Sequence, residues 1–241
     1  MKKIIILVLI ITAGCQTAKI KNREYKYSYA TTELGSIGEA ISMYNLKNDF
    51  AAHSFPVLQN KIRLDVQVLP FTKDINKIYT EKAKINPAAV KINYVDSLAV
   101  KPEYVTLTIA DLNGFATELN ADYNKNTFQY LKDTETAVMV TGIAVALTSE
   151  DIAKIKMSDA FYLHNNQEKK YTIALYKSGK KTENIELQSG MVLAYTLGKF
   201  FWSVSDRLHW YIGDIVKDNK SCKGNTISKI KKKEEKNLYK L

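Results

Sequence analysis

The sequence predicts a mainly β fold: an antiparallel β-sandwich, one large or two small and immunoglobulin-like, with one or two short helices and a basic C-terminal tail. Three observations lead there. Apolar and polar residues alternate with period two through much of the chain. One Val-rich run, Ala137 to Leu147, is apolar on both faces, as a central strand must be. Short turn signals separate the alternating runs, the spacing expected of sandwich strands.

Taken in order, Lys61 to Val68 is apolar at every even position and polar at every odd one, a half-buried strand. Lys73 to Lys82 has helical spacing. Val90, Ile92 and Tyr94 alternate with Lys91 and Asn93 and predict a strand, with Pro87 and Pro102 at its flanks. Val105, Leu107 and Ile109 predict the next. Asn113-Gly114 reads as a hairpin turn, because Gly114 inside a short helix would cost about 1 kcal/mol; the competing reading is a helix capped by Asp111. Asn120 to Asn126 is polar and turn-like, a candidate boundary between an N-terminal part (24–122) and a C-terminal part (123–217). Thr148-Ser149-Glu150-Asp151 has the pattern of a capping box and predicts a short helix through Ala153 to Lys156. Tyr171, Ile173 and Leu175, then Ile185 and Leu187, predict two strands joined at a Ser178-Gly179 turn. Leu208, Trp210 and Ile212 predict the last strand. The expected core includes Val138, Val140, Leu107, Ile173 and Trp210.

The chain has 241 residues, 46% apolar and 25% charged, which excludes a wholly disordered protein. Its longest apolar run, Ile4 to Ala13, is far short of the roughly 20 residues a spanning helix needs, so a multi-span membrane protein is excluded as well.

That run has another meaning. Lys2 and Lys3 precede it, Thr12-Ala13-Gly14 follow, and Cys15 comes next. The arrangement resembles the signal peptide and lipobox of bacterial lipoproteins, with residues 1–14 as signal. The resemblance covers residues 1–15 and implies that Cys15 is lipidated and becomes the new N-terminus. Acyl chains at about 0.8 kcal/mol per buried methylene would then anchor the protein to a membrane. Residues 15–23 would serve as the lipidated tether. Gln16 stands where Asp would favour inner-membrane retention, so the resemblance implies a cell-envelope location, on the outer membrane facing the periplasm.

The net charge of +10 is unevenly spread. Residues 217–241 hold nine Lys against three carboxylates, whereas Cys15 to Val216 is nearly neutral. Lys229, Lys231, Lys232 and Lys233 form a point-charge patch suited to anionic lipid or wall polymer rather than, in an exported protein, nucleic acid. The tail from 218 onwards has little to bury and is expected to be dispensable for folding. Cys222 is left alone once Cys15 carries lipid, so no intramolecular disulfide is expected.

Catalytic motifs are scarce. No two His or Cys have metal-ligand spacing, so neither metal nor cofactor is expected. Gly179-Lys180-Lys181-Thr182 lacks the first glycine of a P-loop, with Ala174 in its place. Asp206 and His209, with Ser203 and Ser205 nearby, are the one hydrolase-like grouping, and no nucleophile elbow accompanies them. Trp202, Trp210 and Tyr211 are candidate sugar-binding aromatics, the competing role being core packing. The expectation is a non-catalytic envelope lipoprotein that binds or assembles with another envelope protein. The alternatives are a glycan- or peptidoglycan-binding lipoprotein and an envelope hydrolase using Asp206/His209.

Overall fold

The computed structural model describes residues 17–20, 23–26, 32–40, 50–86, 90–97, 99–166, 170–217 and 224–230. Cys15, Cys222, Pro87 and Lys231 to Lys233 lie outside them. The fold is mainly β, antiparallel and sandwich-like. It contains strands β1 (Thr17–Ile20), β2 (Arg23–Lys26), β3 (Ile37–Ala40), β4 (Phe50–Ser54), β5 (Ile62–Pro70), β6 (Glu103–Ile109), β7 (Ala137–Ala146), β8 (Ala160–Asn165), β9 (Tyr171–Lys177), β10 (Lys180–Glu186), β11 (Met191–Val204) and β12 (Trp210–Lys217). Four helices join them: α1 (Lys73–Ile85), α2 (Leu112–Asn120), α3 (Lys125–Asp133) and α4 (Ser149–Lys156).

The two long strands β7 and β11 form the spine. One wing runs β1-β2-β11-β7-β6-β5-β8-β9-β10; a second, smaller wing adds β12 to β11, and β3 then β4 to β7. The spine belongs to both wings because its halves have different neighbours. The last part of β7 pairs with β6 at Val145↔Val105, and its first part pairs with β3 at Met139↔Ile37. Register shifts at Val192/Ala194 and Thr196/Leu197 interrupt the β7–β11 ladder, and such bulges bend and twist a strand. β7 is buried along its whole length, as its unbroken apolar run predicts.

Two cores result. The larger takes Ile37 and Phe50 from β3 and β4, Ile212 and Ile215 from β12, Leu107 and Ile173 from the large wing, and Phe115 and Leu119 from α2. In the smaller, α1 sets Ile75, Ile78 and Tyr79 against Ala144, Ala146 and Leu193, together with Ile20 and Tyr25 of the β1–β2 hairpin. Residues expected to be tether thus begin the sheet: Thr17 already pairs with Lys26, and Ile20 is buried.

Several expectations are corrected. Asn113-Gly114 opens α2 rather than a hairpin: Asp111 Oδ1 accepts from Gly114 N at 2.7 Å, and Phe115 and Leu119 are fully buried. A Cβ on Gly114 would lie 2.2 Å from the capping Asp111 carboxylate, so the glycine serves the cap. Val90 to Tyr94 alternates but forms no strand. Two of its backbone groups are taken by Tyr79, whose hydroxyl donates to Val90 O (2.6 Å) and accepts from Ile92 N (2.8 Å). The polar stretch 121–126 joins α2 to α3, and strands before it (β5, β6) pair with strands after it (β7, β8). Four helices stand where one or two were expected, α3 being the one that polar residues concealed.

The predicted Ser178-Gly179 turn is present, with φ of 49° and 77°, the left-handed pair a tight hairpin requires. Thr148 caps α4, accepting from Asp151 N at 3.1 Å, and Thr72 caps α1. Part of the basic tail is docked. Ile227 and Trp202 exchange backbone hydrogen bonds of 2.8 and 2.9 Å, Ile230 packs on the larger core, and Lys229 forms a 2.7 Å ion pair with Glu135. Two backbone hydrogen bonds, the partly buried Ile230 and one ion pair together fasten this segment beside the end of β11.

Candidate functional site

The β11–β12 hairpin carries most of the residues singled out by sequence. β11 extends past the end of its pairing with β7 at Lys199↔Val138, so its last residues have β12 on one side and Ile227 on the other. Val204 pairs with Trp210, Ser203 with Tyr211 and Trp202 with Ile212. The turn closes through Ser205 N donating to His209 O (2.9 Å) and Leu208 N donating to Ser205 O (2.8 Å). His209 N donates to Ser205 Oγ at 3.2 Å. Asp206, Arg207 and Leu208 are therefore a three-residue loop, and such loops end on a left-handed residue.

That residue is Leu208, at φ 60°. Left-handed backbone costs a residue with a Cβ about 1–2 kcal/mol, so glycine or asparagine is the expected occupant. Leu208 is also 82% exposed, so no packing offsets the strain. Val204, beside the loop, and Tyr211, on the other face of the hairpin, are exposed as well. Three of the ten large apolar side chains exposed among the described residues, Val204, Leu208 and Tyr211, thus belong to this one hairpin.

The other singled-out residues fall as follows. Trp202 is only 4% exposed and meets Phe128 edge-on at 5.5 Å, so its ring faces are spent on the core. Trp210 is half-buried against the same core, less enclosed than expected. Tyr211 is exposed on the opposite face of β12 from Trp210. Lys229 is held by Glu135. Asp206 and His209 are both exposed on the turn, and the Ser205 hydroxyl serves it as an acceptor. Among the described residues, no group of three or more His, Cys, Asp or Glu is placed to hold a metal ion, and no helix is long and apolar enough to cross a membrane.

The hairpin is held rigidly from below. Asn120, at the end of α2, donates from Nδ2 to Ile212 O (2.9 Å) and accepts from Ile212 N (2.8 Å), pairing with the outer edge of β12 as a strand would. Glu118, two residues earlier and 2% exposed, accepts from Gln59 N (2.6 Å), Asn60 Nδ2 (2.7 Å) and Tyr123 Oη (2.8 Å). Burial, then the Glu118 carboxylate, pushes the Tyr123 hydroxyl up to about 12. Asn124 completes the network with bonds to Val57 N, Val57 O and Glu118 O.

Sequence reasoning missed the groups that meet only through strand pairing. Glu39 and His53, on β3 and β4, approach to 3.9 Å, with the His53 ring 5.5 Å from Tyr130. Lys61, Tyr162 and Tyr176 converge on the outer face of the large wing. No local signal in the chain joins residues a hundred positions apart. No protein-family model, characterised protein or solved structure matches this chain.

Proposed function

We propose that the chain is a non-catalytic lipoprotein of the bacterial cell envelope, anchored through Cys15, that docks another envelope protein with the tip of its β11–β12 hairpin. Leu208 carries this reading: a large apolar side chain, almost fully exposed, stands at a backbone position that favours glycine. Its retention there makes sense if the side chain is buried in a complex. Val204, at the end of β11 beside the loop, adds to the apolar surface, and Asn120, bonded to Ile212 of the same hairpin, holds it in place before a partner arrives, which lowers the ordering cost of binding.

The position of the tip fits an anchored protein. Thr17, two residues after Cys15, sits opposite Lys26, which pairs with Tyr195 in the first half of β11. From Tyr195 to Val204 is nine residue steps, roughly 30 Å along a strand at about 3.3 Å per residue. A lipid at Cys15 therefore leaves the tip clear of the attachment point. The test is affinity capture from envelopes with the natively lipidated protein, wild type against Leu208→Gly. A partner retained by wild type and lost by the variant supports docking at the tip; identical capture by both overturns it. Cys15→Ala should release the protein from membranes, and persistence in the pellet after a high-salt wash would overturn the anchor.

A further inference from the structure

We propose a second binding site, independent of the hairpin, on the outer face of β5, β8, β9 and β10, whose ligand is an extended acidic polysaccharide. Inward residues of these strands (Leu64, Leu163, Ile173, Leu175) fill the larger core, so the opposite face looks outward. Across it, Arg63 is opposite Tyr162, Tyr162 opposite Ala174, Ala160 opposite Tyr176, and Tyr176 opposite Lys181. The two tyrosine rings meet edge-on, 5.0 Å apart at 71°. Lys61 Nζ lies 4.4 Å from both ring centroids and donates to Tyr176 Oη at 3.4 Å.

The cations are available. Among the described residues, no carboxylate lies within ion-pair distance of Lys61, Arg63 or Lys181. Two carboxylates share the face unpaired with these cations, Asp65 at the next outward position along β5 from Arg63 and Glu186 at the far end of β10. Arg63 and Lys181 are three strands apart and two register positions apart along the strands, which places them about 16 Å from each other at about 4.8 Å per strand and about 3.3 Å per residue. A single small anion cannot touch both, so the ligand is extended and carries more than one negative group.

The class of ligand follows from what surrounds the cations. None of the exposed large apolar side chains lies on this face, so it offers neither a hydrophobic docking core nor a group to insert into lipid. It presents the half-exposed rings and hydroxyls of Tyr162 and Tyr176 with Ala160 beside them, and a polar pair in which His164 Nε2 meets Asn184 Oδ1 (3.3 Å) and is held from within by the buried Thr172 Oγ1 (3.0 Å). Rings that pack against C–H surfaces, hydroxyl partners and spaced cations match a sugar chain bearing carboxylates.

The test is affinity electrophoresis of the mature-length protein in gels containing polygalacturonate. Wild type should be retarded, less so as salt rises, because exposed charges are screened over about 8 Å at physiological ionic strength. The Arg63→Ala/Lys181→Ala protein should bind about tenfold more weakly, the combined effect of two exposed ion pairs. Tyr176→Ala, checked for folding by its melting temperature, should weaken binding as well. Leu208→Gly should bind like wild type, so that this site and the hairpin are judged separately. Absence of retardation, equal retardation by neutral dextran, or full binding by the folded double variant would overturn the proposal. So would charge-dependent binding to phosphatidylglycerol vesicles without binding to the polysaccharide.

Discussion

Leu208→Gly separates stability from binding, because the two are expected to move in opposite directions. Relief of left-handed strain should return about 1–2 kcal/mol, and the greater freedom of glycine in the unfolded chain should remove about 0.5–1 kcal/mol of that. With 82% of the side chain exposed, little burial is lost. The variant should therefore be as stable as wild type or up to about 1.5 kcal/mol more stable. Partner affinity should fall, since burying a leucine fully contributes about 1.5–3 kcal/mol, a loss of roughly 10- to 150-fold. Urea denaturation gives the first quantity and titration of the captured partner the second. Destabilisation by more than about 1 kcal/mol would show that Leu208 packs within the fold, which would refute the reasoning.

Three other substitutions test the framework. Trp202→Ala should cost about 3–5 kcal/mol in denaturant unfolding, and more than Trp210→Ala, because only Trp202 is fully enclosed. Glu118→Ala should cost about 1–3 kcal/mol, as Gln59 N, Asn60 Nδ2 and Tyr123 Oη lose the buried carboxylate that accepts from all three while water can still reach these exposed residues; Glu118→Gln should cost less. Lys82 donates to Val192 O at 2.6 Å, and burial lowers its amine from 10.5 to about 8. Between those values the unfolded chain holds a proton that the folded chain has released, so Lys82 makes stability rise with pH across that window. Lys82→Met should abolish that rise. Tyr104 and Tyr123, both pushed up to about 12, act in the other direction above pH 10, where only their unfolded forms ionise.

Much of the fold was legible where a local pattern has a local cause. The continuous run of β7, the Ser178-Gly179 turn and the Thr148 cap are each decided within a few residues. The failures share a different cause. Gly114 argued against a helix until the Asp111 carboxylate beside it supplied the reason for a glycine. Val90 to Tyr94 has strand periodicity, yet Tyr79 took the hydrogen bonds a partner strand would have made. Asn120 and Asn124 read as members of a polar, turn-like stretch, although they pin an edge strand and a helix junction. The site shows the same division. Trp210 and Tyr211 were picked out by residue type, but Leu208 was assigned to a strand, because only its backbone angle and exposure reveal its position. Trp202 was picked out and belongs to the core.

Site-specific photocrosslinking at position 208, in the lipidated protein within intact envelopes, tests the docking reading most directly. A photoreactive residue in place of Leu208 should yield one discrete protein adduct, and the same residue in place of Val100, which is 86% exposed but remote from the hairpin in the fold, should not. Adducts to lipid alone, no adduct, or the same adduct from both positions would contradict the account.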